Sequence, residues 1–423
     1  MTRIYIRAGM SPLKPVSVGD AVQQDLFGFN TGNLVFQYST FRTLMRDDTD
    51  FDARWPKQVL GVPGGVEQLN ETCDFAVFPM ADAFRSDYNL RALADMIRKL
   101  RVPCVVIGCG LKANSPDDIK KGFPFDDDVR AFMDAILDKS ALVGLRGEYT
   151  AEYLQRLGYV PERHFTVIGC PSMFLHGPVM PEPRVKPIDE SIRLSINTRM
   201  TQNPALNSMI RNAEARFPNY HLVLQVRPEL AMIAYGVPNI VKGAERDTTG
   251  FYPCFPWHRD VRSGRAIGFT EARTWFDYMK DVDYCFGSRI HGNITAVING
   301  VPSYVFTVDT RMEELCRWSN INYMRFDQVT DAIDIRDILE NTDFRSVCRG
   351  HRQRFDHYVD FLNQNGLPHI YQNGENPDRA PLDMALEKLP MGGVVHRGCM
   401  HSVEACRRWM ETGFTAVKRR LKG

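Results

Sequence analysis

The sequence predicts an α/β protein of two doubly wound domains facing one another across a cleft, with a helical extension behind them. Three observations carry this. From residue 4 to about 320, β-rich runs alternate with stretches of helical periodicity, the pattern of parallel sheets. The segment 177–190, GPVMPEPRVKPIDE, holds four prolines and several charges, which marks a linker. A length of 423 residues exceeds what one hydrophobic core ordinarily serves. The expected domains are 1–180 and 181–344, and the helical C-terminal extension is 345–423.

The first strand is 4–7, followed by a Gly/Pro/Ser loop. Asn30-Thr31-Gly32-Asn33 is a turn able to cap a helix through Met45, and a strand at 74–78 follows. Leu90, Leu93, Ala94, Ile97 and Leu100 keep helical spacing until Pro103 stops it before the strand 104–107. Gly108-Cys109-Gly110 then turns sharply, as chains do at the ligand edge of a parallel sheet. A helix over 126–139 leads into the strand 141–145, with Arg146 at its carboxyl end. Thr150, Tyr153, Leu154 and Leu157 form the buried face of the next helix, and the strand 165–169 closes the first half. The second half reads as strand 192–197, a helix near 208–217, strand 221–226, a polar stretch to about 265, and a helix over 271–280. Past 344, Val347, His351, Arg354, Tyr358 and Phe361 outline one amphipathic helix, and 363–381 is loop-like. A last helix from about Ser402 places Val403, Cys406, Met410, Phe414, Val417 and Leu421 on one face.

The stretch 281–317 is the most informative. A β-rich run at 282–286 ends in Gly287-Ser288, where the serine can cap a helix. Ile290, Ile294, Val297 and Ile298 recur at helical spacing, Gly300 and Pro302 stop the helix, and 303–308 is a second apolar strand. Strands joined through a helix lie parallel, so the residues leaving their carboxyl ends share one edge of the sheet, where open α/β proteins bind ligands. Ser288, Arg289 and His291 sit on the first exit, and Asp309 and Arg311 on the second. Arginines, a histidine and the N–H groups of a helix start, converging on one rim, suit an anion. Asn197, Thr198 and Arg199, with Gln225, Arg227 and Glu229, leave other strands of this half and are candidates for orienting substrate. Glu229 or Asp309 is a candidate base, with a helix cap or an ordinary ion pair as the equal alternative.

These motifs carry a resemblance. Gly287-Ser288-Arg289-Ile290-His291-Gly292, followed by Asn299-Gly300-Val301-Pro302-Ser303 and Asp309-Thr310-Arg311, resembles the signature of the polysaccharide pyruvyl transferases. Phe29-Asn30-Thr31-Gly32-Asn33-Leu34, Leu145-Arg146-Gly147-Glu148-Tyr149-Thr150 and Val167-Ile168-Gly169-Cys170-Pro171-Ser172 agree with it. Many members carry Lys at the position of Arg311, which keeps the charge, and Asp at that of Cys170, which does not keep an acid. The resemblance implies two Rossmann-like domains in a glycosyltransferase-B-type arrangement, acting in polysaccharide biosynthesis. It implies phosphoenolpyruvate as co-substrate and two hydroxyls of a glycan, or of its lipid-linked precursor, as acceptor. His291 and Arg146 are then the catalytic pair, and Arg289, Arg311, Ser288 and Gly292 bind the donor. The implied addition to an enol ether needs a proton carrier and cations for the leaving phosphate, and no metal or other cofactor. A nucleotide-sugar glycosyltransferase of the same architecture is the alternative enzyme. A non-catalytic glycan- or anion-binding protein is the alternative from another class.

Composition narrows the partners. A net charge of +1 argues against a generally basic nucleic-acid binder, so any anion site is local. The ten cysteines lack CxxC spacing, which suits reduced thiols and a cytoplasmic location. The amino-terminal MTRIYIRAGM reads as a strand rather than a signal peptide, and no run reaches membrane-span length. Lys418-Arg419-Arg420 is expected to be a solvated helix end complementing the dipole, with peripheral membrane contact as the lesser alternative. His396, Cys399, His401 and Cys406 include zinc-ligand types, but their spacing matches no established site.

Overall fold

The computed structural model describes residues 1–199, 203–239 and 250–399. The first half contains β1 (Thr2–Ile6), β2 (Thr49–Ala53), β3 (Phe75–Pro79) and β4 (Cys104–Ile107), a parallel sheet in the order β2-β1-β3-β4. β5 (Val143–Leu145) and β6 (Phe165–Val167) form a parallel pair, and a bridge from Cys109 to Leu145 joins it to the edge beyond β4.

The second half holds β7 (Leu194–Ile196), β8 (Tyr220–Leu224), β9 (Ala266–Phe269), β10 (Tyr284–Gly287), β11 (Ser303–Thr307), β12 (Tyr323–Arg325) and β13 (Val394–Val395). Their order is β12-β11-β10-β7-β8-β9-β13, parallel except for β13 against β9. Renumbered from β7, the six parallel strands run 6-5-4-1-2-3, the doubly wound Rossmann order. The order reverses between β7 and β10 here, and between β1 and β3 in the first sheet. At such switch points the connections leave to opposite faces and open a crevice at the carboxyl ends. Both crevices border one cavity.

The expected parallel strands form because runs such as Cys104–Ile107 are buried at every residue, as strands covered on both faces must be. The sequence reading passed over β2, β9, β12 and β13. β2 is TDFDA with one buried residue, β12 and β13 are short edge strands, and β9 has four residues after a polar stretch. Equally short strands are legible, so length is not the reason: β2, β12 and β13 lack a buried apolar run, and Gly268 interrupts that of β9.

The halves share one core rather than meeting only across the cleft. Helix Gly32–Leu44 is buried at every residue except Asn33. It packs against helix Ile290–Ile298 of the other half, which is buried throughout, and against the turn Pro171–Phe174. The linker candidate lies on the second half, with Arg184 N–H donating to the Gly300 carbonyl at 2.9 Å. The extension is not purely helical. Helix His351–Gln364 returns to the first half, where Tyr358 stacks on Phe174 at 4.8 Å, and the chain then adds β13 to the second sheet. The expected helix from Ser402, its basic end, and His401 and Cys406 lie outside the described residues.

Candidate active site

A cavity of about 720 Å³ lies between the carboxyl edges of the two sheets. Arg7, Asp82 and Lys112 face it from the first half; Arg199, Glu229, Ser288, Arg289, His291 and Arg311 face it from the second.

His291 occupies the first turn of helix Ile290–Ile298, on the cavity wall but almost fully buried. Its ring packs on Phe36, centroids 5.5 Å apart, and Nε2 lies 3.8 Å from Cys170 Sγ. Burial drives the imidazole well below its ordinary pKa, Arg146 and Arg311 push it further down, and Asp82 opposes them. His291 is therefore neutral near pH 7. The close fit depends on Gly32, where an added Cβ would stand 2.7 Å from His291 Cβ. Ser288, expected as the cap of this helix, instead accepts the Arg199 backbone N–H at 3.1 Å, and Arg289 occupies the cap position.

Arg289 is locked in place. Nη2 donates to Glu229 Oε1 and to the Tyr252 hydroxyl, and Nε donates to the Thr198 carbonyl at 2.9 Å. Glu229 Oε2 accepts the backbone N–H groups of Gln225 and Val226 at 2.9 and 3.0 Å. Burial raises the Tyr252 hydroxyl against the pull of Arg289, so it stays a donor to Glu229. With both oxygens engaged, Glu229 has no open lone pair aimed at a substrate proton, and its position is that of a strut for Arg289.

Arg311 is likewise paired, to Asp82 at 2.8 Å and to Asp309 at 3.1 Å. Burial alone would raise the Asp82 carboxyl, yet Arg311, Arg85 and Arg146 hold it below its ordinary value. Asp309 caps helix Thr310–Ser319 through the Met312 N–H at 3.1 Å and does not line the cavity. Of its two sequence readings, cap and ion pair describe where it stands.

Arg146 is wholly buried behind this wall. Nη2 reaches the Met80 carbonyl at 3.4 Å, while Nε and Nη1 have no hydrogen-bond partner among the described residues. Arg199 is exposed on the cavity wall with no carboxylate partner among the described residues. Desolvation by surrounding protein lowers its pKa; Asp309 opposes this, and Arg289 and Arg311 add to it. Uncompensated positive charge thus gathers around a neutral histidine.

Three other expected site residues stand off the cavity. Asn197 donates to Cys285 Sγ at 3.0 Å and accepts from Asn293 at 2.9 Å, tying β7 to β10. Gly292 allows close packing, since a Cβ there would meet Gln225 Nε2 at 2.6 Å. Arg227 donates to the carbonyls of Val22 and Gln23 at 2.6 and 2.7 Å and so staples the halves together. The sequence reading missed Asp82, Arg7, Lys112 and Tyr252. The first three follow β3, β1 and β4, and the strand-exit rule that found Arg146 would have found them. Tyr252 lies in the polar stretch, where no local signal marks it. Among the described residues, no group of three or more His, Cys, Asp or Glu is placed to hold a metal ion, and no helix is long and apolar enough to cross a membrane.

No curated protein matches the sequence. Among solved structures, the chain is similar to an uncharacterised protein from Klebsiella pneumoniae, at 14% identity over 76% of this chain and 92% of that one, with a TM-score of 0.38. It is similar to the UDP-GlcNAc 2-epimerase of Methanocaldococcus jannaschii in complex with UDP-GlcNAc and UDP, at 12% identity over 86% and 99%, TM-score 0.44. The glycosyltransferase SnogD from Streptomyces nogalater matches at 11% identity over 84% and 95%, TM-score 0.34. The family profile described as polysaccharide pyruvyl transferase matches residues 24–310, two thirds of the chain. That span takes in Arg146, Arg289 and His291 and stops one residue short of Arg311. The chain belongs to the polysaccharide pyruvyl transferase family, and is a transferase.

Proposed function

We propose that this chain moves the enolpyruvyl group of phosphoenolpyruvate onto two hydroxyls of a glycan sugar, or of its lipid-linked precursor, as a cyclic ketal, and releases phosphate. One observation carries the reading: the cleft holds more positive charge than its own carboxylates offset, beside a histidine kept neutral. Arg289 is spent on Glu229 and Arg311 on Asp82 and Asp309, but Arg199 and Arg146 have no carboxylate partner among the described residues. A donor with a phosphate and a carboxylate on adjacent groups supplies the missing negative charge. Each charge-assisted hydrogen bond formed contributes about 1.5–3 kcal/mol.

In the reaction the donor's methylene carbon gains a proton and the adjacent carbon becomes electrophilic. One sugar hydroxyl attacks that carbon, phosphate leaves with its bridging oxygen, and the second hydroxyl closes the ring. Two hydroxyl protons are lost; one replaces that taken up by the methyl group and the other leaves on phosphate. His291 suits the proton transfers. Before donor binding, burial and the arginines disfavour its imidazolium; an adjacent phosphate dianion reverses that bias. Asp82, held ionised by three arginines, is the weaker base and serves to tether Arg311 and Arg85. Arg146 cannot give up its proton at working pH and acts by charge alone.

The test is thermal. Phosphoenolpyruvate at about 100 times its Kd adds about 2.7 kcal/mol to native-state stability and raises Tm by several degrees. Stabilisation by UDP, GDP or CMP with none by phosphoenolpyruvate would sink this reading in favour of the nucleotide-sugar enzyme.

A further inference from the structure

Phe29 stands on the cavity wall in a backbone conformation that bulky side chains avoid. Its φ is +72°, in the left-handed region, and it is 49% exposed. The conformation is held from several sides. Its N–H donates to Asp25 Oδ1, and its carbonyl accepts the Arg227 N–H at 2.8 Å. Asn33 Nδ2 grips the carbonyls of Phe27 and Gly28 at 3.0 and 3.1 Å. Strain that the surroundings over-determine marks a functional position. Three other aromatic rings of this wall are engaged, Phe36 with His291, Tyr88 with the guanidiniums of Arg7 and Arg85, and Tyr252 with Arg289, while Phe326 at its edge is not, among the described residues. Phe29 has no ring or cation partner among the described residues.

Two amides on the same wall add an independent observation. Gln225 is 1% exposed and Asn239 is 2% exposed, yet Gln225 Nε2 and both Asn239 side-chain polar atoms lack hydrogen-bond partners among the described residues. Buried amides are ordinarily satisfied, so the Asn239 orphans on this wall point to a ligand, whereas Gln225 Nε2 packs against Gly292. Gln225 is joined to the Phe29 loop, its carbonyl accepting the Thr31 N–H at 2.9 Å. Neutral amides both donate and accept, which suits hydroxyls rather than an anion.

We infer that Phe29 and Asn239, backed by Gln225, form a sugar subsite, in which the apolar C–H face of a hexopyranose stacks on Phe29 and its hydroxyls bond the Asn239 amide. That this sugar is the acceptor rests on the pyruvyl transferase reading; that a sugar binds here does not. The pinned backbone presents the ring in one orientation, so little entropy is lost when a ligand covers it.

The experiment uses the full chain and a panel of methyl hexopyranosides (gluco, galacto, manno and their 2-acetamido forms), read by saturation-transfer NMR without turnover. At least one should bind, with affinity reduced about tenfold by Phe29→Ala and by Asn239→Ala, and restored in Phe29→Tyr. The Tm rise with phosphoenolpyruvate should persist in all three variants. Binding of no member of the panel, or wild-type affinity in a well-folded Phe29→Ala, overturns the subsite. Sugar binding lost in Phe29→Ala, while phosphoenolpyruvate neither binds nor releases phosphate, would uphold the subsite and sink the pyruvyl reading.

Discussion

Arg311, from the second half, and Asp82, from the first, meet across the cleft, Nη1 to Oδ2 at 2.8 Å. Their carriers follow β11 and β3, so this ion pair joins the carboxyl edges of the two sheets. It also sets how much of the Arg311 charge reaches a bound anion, because Asp82 and Asp309 share it.

Arg311→Ala is expected to weaken phosphoenolpyruvate binding by about 1.5–3 kcal/mol, the worth of a charge-assisted hydrogen bond. Arg311→Lys should be milder, since the charge remains. Removing Arg311 also leaves Asp309 without its ion pair and Asp82 with only Arg85 among the described residues, so adding Asp82→Asn to the alanine variant should recover part of the loss. Donor titration by calorimetry checks all three; unchanged affinity in Arg311→Ala would remove the residue from the site.

His291→Asn keeps a polar group of similar reach without a titrating one. Turnover should fall by about 10²–10⁴-fold with a smaller effect on donor binding. Arg146→Ala, by contrast, should show mainly as lost donor affinity. Initial phosphate release against phosphoenolpyruvate concentration, with a competent acceptor, separates the two. A His291→Asn enzyme near the wild-type rate would reduce the histidine to packing.

Glu314 links the halves on the far side of the wall, accepting Thr150 N–H at 2.9 Å. Burial pushes its carboxyl up to about 8 from an ordinary 4.5, with Thr150 and Arg146 pulling it down. The native state therefore keeps a proton that the unfolded chain releases above about 4.5. The resulting stabilisation is full below that pH and is lost as pH rises towards 8. Glu314→Gln should gain on wild type across this window, by no more than about 1.4 kcal/mol per pH unit for one proton. Urea melts at several pH values measure the gap; a gap independent of pH would mean the carboxyl is ionised in the native state.

Activity is expected to survive exhaustive treatment with EDTA, because arginine charge and His291 supply what the proposed chemistry requires. Loss on chelation, restored by one divalent ion, would return weight to the glycosyltransferase alternative or to the cluster around His396.

The sequence by itself determined the alternating α/β plan and the strand–helix–strand unit around His291. Those rest on local periodicity and on stop signals such as Gly300 and Pro302, which act within a few residues. It also placed Arg146 and His291 near one edge, since parallel crossovers send every strand's carboxyl end the same way. Only the tertiary structure decided which charges are free. Arg289 is neutralised by Glu229, 60 residues away, and Arg311 by Asp82, 229 residues away, while Arg199 has no carboxylate partner among the described residues. It alone set the left-handed backbone of Phe29 and the burial that keeps His291 neutral. Pairing, desolvation and over-determined strain depend on groups brought together through space, and no local pattern in the chain encodes them.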